Sequence, residues 1–237
     1  MSDLRAAVFG TSGGIGAALA AQLEASGQYG EVHCGARKLP DATHPFTFDL
    51  ADEASIARAA AAISPGGALD LVIVATGRLH GEGSPMPEKS WRALDGAALA
   101  AMFAVNTIGP ALIAKHMLPL LRRDARAVFA VLSARVGSIS DNRLGGWHGY
   151  RASKAALNML VANFAIEFAR SNRQGVVVAM HPGTVDTALS RPFQRGVPPD
   201  KLLSPAESAW HILAVLEGLD PQDSGGLFAW TGERLPF

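Results

Sequence analysis

Short runs of apolar and β-branched residues alternate with Ala-rich stretches of helical periodicity along the whole chain. The runs at residues 6–9, 31–34, 46–48, 69–74, 127–132 and 176–180 predict strands. The stretches at 14–26, 53–63, 97–122, 150–170 and 205–218 predict helices. Strictly alternating strands and helices build βαβ units, whose crossovers require parallel pairing. The expected fold class is therefore α/β, a doubly wound parallel sheet of Rossmann-like type, with residues 1–237 as a single domain. No internal repeat or low-complexity linker divides the chain. The Pro- and Gly-rich stretch 182–204 is long for a connection, and within it 191–200 is a candidate substrate lid, with a plain surface excursion as the alternative.

Composition narrows the partners. Of the 237 residues, 49% are hydrophobic and 18% charged, the balance of a globular protein. The 21 basic residues match the 21 acidic ones, so no broad basic field exists to hold a nucleic acid. Cys34 is the single cysteine and has no intramolecular disulfide partner, which fits a reducing compartment. Residues 1–5 lead straight into the first strand without a charged, apolar leader, and apolar stretches such as 97–105 are too short to span a bilayer. The expectation is a cytoplasmic protein with no membrane partner.

The first strand runs into Gly10-Thr11-Ser12-Gly13-Gly14-Ile15-Gly16 and then a helix. Small residues allow a sharp turn, and amides at the following helix N-terminus face an anion, for which the pyrophosphate of a dinucleotide is the natural guest. A turn that merely packs helix on strand is the alternative. The second strand ends on Cys34-Gly35-Ala36-Arg37-Lys38, where an NAD-specific site would carry a carboxylate for the ribose 2′-hydroxyl. Arg37 instead offers a fork suited to a 2′-phosphate, and Lys38 adds charge, so NADP(H) is the expected cofactor unless both are ordinary surface cations.

Tyr150 and Lys154 lie at i and i+4 on one helix face. A phenol titrates near 10, and an adjacent ammonium favours its ionised form, which is the tuning needed to exchange a proton with an alcohol or ketone. Together with Asp49-Leu50, Ala75-Thr76-Gly77, Asn106, Pro182-Gly183 and Thr187, in this order, these residues resemble the short-chain dehydrogenase/reductase superfamily along essentially the whole chain. Gly137-Ser138-Ile139-Ser140-Asp141-Asn142, Gly145-Gly146 and the run 150–159 resemble the branch of sniffer-type carbonyl reductases and bacterial C-factor-like proteins.

The resemblance implies an oxidoreductase that passes hydride between the nicotinamide and a carbonyl or secondary alcohol, with Tyr150 as proton donor. It assigns Asp49 and Leu50 to the adenine ring and Ala75, Thr76 and Gly77 to the adenine-ribose wall. It places Lys154 on the nicotinamide ribose and Asn106 at a water of a proton relay. Pro182, Gly183, Thr184 and Val185 would line the nicotinamide, with Thr187 near its amide. Residue-level alternatives are a helix cap for Asp49 and a helix kink for Asn106. The resemblance also implies a homodimer or homotetramer, and the apolar stretches 97–121 and 157–168 suit subunit contact.

One departure stands out. The family places a catalytic serine three residues before the glycine after the fifth strand, and counting back from Gly137 reaches Ala134. Ser133 and Ser138 are the candidates to replace it. Ser138 is favoured, because alternation along the strand turns Ser133 to the opposite face from Ala134, whereas Ser138 lies past the glycine. Phe9 replaces a threonine common before the turn, and Thr76 stands where asparagine is frequent. The seven histidines lack metal-ligand spacing, and no metal is expected. The competing reading is a protein that senses the nucleotide or signals with little turnover, which Ala134 favours and the intact Tyr150, Lys154 and Asn106 oppose.

Overall fold

Strand β1 (Arg5–Phe9) is buried at all five positions and apolar after Arg5, so it belongs in the middle of a sheet covered on both faces. In the computed structural model, which describes residues 3–80, 86–198 and 201–237, it pairs in parallel with β2 (Glu31–Ala36) on one side and β4 (Leu71–Val74) on the other. Outward from β2 lies β3 (His44–Thr47), and outward from β4 lie β5 (Ala127–Leu132) and β6 (Gly175–His181), all parallel. Strands β7 (Thr184–Val185) and β8 (Leu202–Leu203) form a separate ladder beyond β6. Strand β9 (Leu227–Ala229) then joins β6 in parallel, and β10 (Arg234–Leu235) closes the edge antiparallel to β9. The order of the main sheet is β10-β9-β6-β5-β4-β1-β2-β3.

Side-chain alternation on these strands divides the core in two. Ala7 and Phe9 join Val72, Phe129 and Val177 beneath α2 (Glu53–Ile63) and α5 (His148–Phe168). Ala6 and Val8 join Ile73, Val128 and Val178 beneath α1 (Gly14–Ser26) and the C-terminal helix Pro205–Gly218. Phe9, at the position usual for threonine, meets the rings of Phe46 and Phe48 edge-on at centroid distances of 4.9 and 5.0 Å. The N-terminus of Pro205–Gly218 is fixed by a capping box between Ser204 and Glu207.

The helix expected over 97–122 is interrupted. It consists of α3 (Gly96–Phe103), a π-helical turn at Ala104–Ile108, α4 (Gly109–Met117) and a 3₁₀ turn at Leu118–Leu120. Its 25 residues, Gly96–Leu120, contain an 18-residue window with a mean hydropathy of 1.8 and are by length and composition sufficient to cross a bilayer, contrary to the sequence expectation that stopped at Val105. Here the apolarity serves packing, since Ile113, Ala114 and Met117 are fully buried in the core. Strands β9 and β10 were not anticipated, being three and two residues long.

Candidate active site

The winding of the sheet reverses between β1 and β4, and a crevice of about 580 Å³ opens there at the carboxyl ends of the strands. Its floor is the glycine turn. Gly10 has φ 99°, and a Cβ on it would lie 3.0 Å from the Ala75 carbonyl group; a Cβ on Gly16 would lie 2.2 Å from the Gly10 oxygen. Only glycines allow the strand, the turn and α1 to close this tightly. Gly13 caps α1 without any side-chain hydrogen bond, so the first amides of the helix keep no partner of their own chain's side chains and remain suited to an anion. Ser12, Gly13, Asp49 and Leu50 line the crevice, with Ala75, Thr76 and Gly77 across from them. The residues present thus fit a dinucleotide.

Strand β2 runs two residues further than the sequence pattern indicated, so Arg37 is the first residue past its end. Arg37 lines the crevice, is exposed and forms no ion pair among the described residues; Lys38 is exposed but does not line it. The Asp49 carboxylate accepts from the Ala51 amide at 2.9 Å, while the cap of α2 is Asp52, which accepts from Ala54.

A second cavity, of about 230 Å³, is lined by Ile15, Ser133, Ala134, Tyr150, Pro182, Gly183, Thr184, Val185 and Thr187. Gly14 closes against the second of these walls, a Cβ on it falling 3.0 Å from Thr187 Cγ2. Tyr150 lies in the first turns of α5 among Leu79, Met102 and Ala134, and burial pushes its phenol up to about 12. Lys154, one turn on, donates from Nζ to the Leu132 carbonyl at 2.8 Å, and burial lowers its ammonium to about 7. A Cβ on Gly77, which lines the first cavity, would lie 3.7 Å from Lys154 Nζ and 3.8 Å from Asn106 Oδ1, so both side chains approach Gly77.

Asn106 occupies the π-helical turn and is fully buried. Its Oδ1 accepts from the Arg78 amide at 2.8 Å, and its Nδ2 donates to the Arg78 carbonyl at 2.8 Å and to Ser153 Oγ at 3.1 Å. Ser153 Oγ in turn donates to the Tyr150 carbonyl at 2.8 Å. The kink and the site role expected for Asn106 are thus compatible, because an i→i+5 turn displaces the helix and lets one amide clamp the loop after β4 to α5.

Burial of Lys154 has a testable consequence in the chain without cofactor. An unfolded lysine titrates near 10.5 and the folded one near 7, so the stability this group allows is complete above the upper value and is lost as pH falls toward the lower. Urea midpoints at pH 7 and 9.5 are expected to show wild type gaining on Lys154→Met as pH rises, by at most about 1.4 kcal/mol per pH unit. A gain on acidification instead would contradict the buried placement.

The structure does not bring either serine beside Tyr150. Ser138, favoured from sequence, follows a 3₁₀ turn at Arg135–Gly137; it is 3% exposed, its Oγ accepts from the Asp141 amide at 3.1 Å, and it does not line the cavity. Ser133 borders the cavity, but its hydroxyl donates to Asn158 Oδ1 at 2.6 Å, on the α5 face one turn below Lys154. The residue packed with Tyr150 is Ala134.

Further residues of the cavity received no individual role from the sequence. Trp147 and Phe193 line it, with ring centroids 4.9 Å apart. His181, at the end of β6, also lines the cavity; its Nδ1 is enclosed without a partner among the described residues, and burial lowers it to about 4. Of the candidate lid 191–200, Phe193 and Val197 border the cavity, and Pro199 and Asp200 lie outside the described residues.

A crevice at the switch point of a parallel sheet, with a second cavity lined by Tyr150 and with Lys154 one helical turn on, is the arrangement of a nucleotide-dependent oxidoreductase. Residues 5–197 match the short chain dehydrogenase family, and the chain belongs to it; the family binds a nicotinamide cofactor. Among its relatives is the C-signal of Myxococcus xanthus, 36% identical over 150 residues that cover 62% of this chain and 85% of the relative. A 1-hydroxy-2-glutathionyl-2-methyl-3-butene dehydrogenase of Rhodococcus sp. is 33% identical over 56% of this chain and 55% of its own length. The NADPH-bound carbonyl reductase from chicken fatty liver superposes with a TM-score of 0.83 at 25% identity, covering 100% of both chains. The carbonyl reductase Sniffer of D. melanogaster shares the fold, with a TM-score of 0.84 at 22% identity over the same coverage.

Proposed function

We propose that the chain is an NADPH-dependent carbonyl reductase of the cytoplasm acting on small molecules, with Tyr150 delivering a proton to the carbonyl oxygen. The observation that carries this reading is the placement of Tyr150 in the apolar cavity one helical turn from Lys154, whose Nζ approaches Gly77 on the wall of the crevice. The nicotinamide, when bound, supplies hydride to the carbonyl carbon. Burial keeps the phenol protonated, so Tyr150 arrives as a donor, and a charged Lys154 stabilises the phenolate left behind. The test is NADPH oxidation across a panel of aldehydes and ketones. Consumption no faster than without protein, for every compound, overturns the reading.

Arg37 supports NADPH over NADH, since it stands free at the strand end where no carboxylate is present. Charge-assisted contacts to a 2′-phosphate are worth about 1.5 to 3 kcal/mol, roughly tenfold to a hundredfold in affinity. Titration calorimetry is expected to give that preference in wild type and to lose most of it in Arg37→Ala. Equal affinities in wild type would refute it.

A second reading rests on Ala134 and on the likeness to C-signal: a protein that binds the nucleotide and signals with little turnover. Nanomolar to micromolar NADPH binding with no reduction of any compound in the panel favours it. For assembly we propose a homodimer or homotetramer, supported by Ile108, Met159 and Ile166, which are 52%, 63% and 63% exposed on the helical layer containing α4 and α5. Light scattering of wild type against Ile166→Glu tests this.

A further inference from the structure

Trp147 is the one non-glycine among the described residues with a positive φ, 51°, and it follows Gly145 and Gly146, at 61° and 66°. A glycine would serve equally well as the cap of α5 there, and a bulky side chain in the left-handed region is strained. The backbone is locked by neighbours: the Trp147 amide donates to the Glu88 carbonyl, and the Gly149 amide donates to Glu88 Oε2 at 3.2 Å. The strain therefore places the indole ring, which enters the cavity and stands edge-on to Phe193, at 4.9 Å and 61°, and to Tyr150, at 6.3 Å and 72°.

Phe193 is held from its other side. His80 meets it at 5.5 Å and 66°, and His80 Nε2 is hydrogen-bonded to the Leu189 carbonyl at 2.9 Å, which ties the segment after β7 to the loop after β4. The rest of this wall is Leu79, Val136 and Leu189. Among the described residues, the charged side chain bordering the cavity is Arg135, which is paired with Asp141 at 3.0 Å and Glu233 at 3.4 Å. At about 230 Å³, shared with the nicotinamide-facing residues Ile15 and Pro182 to Val185, the cavity is smaller than most drug-sized sites.

From this arrangement we infer that Trp147 and Phe193 are specificity-determining residues. Together they form an aromatic clamp beside Tyr150 that selects uncharged carbonyl compounds carrying a flat, conjugated ring. The inference deepens the carbonyl reductase reading and rests on it for turnover. A flat ring presents a face or edge to both fixed rings at once, whereas a puckered ring of equal size cannot, and a carboxylate would meet no unpaired cation among the described residues of the cavity.

The experiment compares benzaldehyde with cyclohexanecarbaldehyde, and benzaldehyde with 4-carboxybenzaldehyde, in wild type, Trp147→Gly and Phe193→Ala. Each variant's ratio of kcat/KM for benzaldehyde over cyclohexanecarbaldehyde is expected to fall about three- to tenfold below wild type. Trp147→Gly removes the ring and relieves the strained backbone together, so its urea midpoint should be no lower than wild type; a specificity loss with stability retained separates clamp from scaffold. An unchanged ratio in both variants, or a wild type that prefers the carboxylate compound, overturns the clamp. Calorimetric binding of benzyl alcohol against cyclohexylmethanol to the NADPH-loaded protein, a pair between which no hydride can pass, reads it without turnover. Tighter benzyl alcohol binding that both variants lose supports the clamp even if no carbonyl is reduced, and equal binding refutes it.

Discussion

Tyr150→Phe is expected to lower the turnover number on a reducible carbonyl by about a hundredfold to ten-thousandfold, the range in which a positioned general acid contributes. NADPH affinity should change little, because the deleted atom is a hydroxyl in the second cavity and the crevice of Arg37 and the glycine turn is untouched. Phenylalanine fills the same volume among Leu79, Met102 and Ala134, so no void is created and the fold should hold. Burial of the phenol also predicts the pH profile of wild type: with the group pushed up to about 12, the donor stays loaded and turnover does not fall through Tyr150 ionisation below pH 9. A chemistry-limited turnover number equal to wild type in the phenylalanine protein would remove Tyr150 from the proton transfer. Loss of NADPH binding in parallel would show a structural defect instead.

Much of this arrangement was legible because it obeys short periods. Helical spacing puts Tyr150 above Lys154, and Arg37 borders the crevice with β2 ending at Ala36, two residues past the end read from the sequence. The glycine turn was legible because two of its members answer steric demands that no other residue meets, Gly10 by its φ and Gly16 by its contact with the Gly10 carbonyl. What stayed hidden depends on tertiary contact. The π-helical turn that buries Asn106 has the same composition as the regular helix around it, and the pairing of Trp147, Phe193 and His80 joins three irregular segments far apart in sequence. Strand β9 takes its conformation from the edge offered by β6 and β10 from the edge of β9, and strands of three and two residues are too short to show a period. The preference for Ser138 failed to anticipate that a 3₁₀ turn would fold its hydroxyl onto the Asp141 amide.

That geometry leads to the second large effect. Ala134→Ser is expected to raise turnover by about tenfold to a hundredfold. Ala134 has an extended backbone, with φ −152° and ψ 146°, which serine adopts without strain, and it packs directly with Tyr150 at the cavity wall. A hydroxyl there can donate to the carbonyl oxygen as negative charge grows on it, and a single donor of this kind is worth about 2.7 to 4 kcal/mol when fully preorganised. The gain should fall short of that ceiling, because the surrounding side chains are packed around a methyl group. By contrast, Ser138→Ala should leave turnover within a few fold of wild type, since its oxygen serves the Asp141 turn. Ser133→Ala should act on stability, costing about 1 to 3 kcal/mol, because Asn158 Nδ2 already lacks a partner among the described residues and Oδ1 would lose its own. Steady-state rates of the three variants on one aldehyde, with urea titrations beside them, decide the matter. If Ser133→Ala or Ser138→Ala alone fell about a hundredfold in turnover with its stability intact, that serine would be the carbonyl donor, and an Ala134→Ser protein no faster than wild type would then follow from a place already filled.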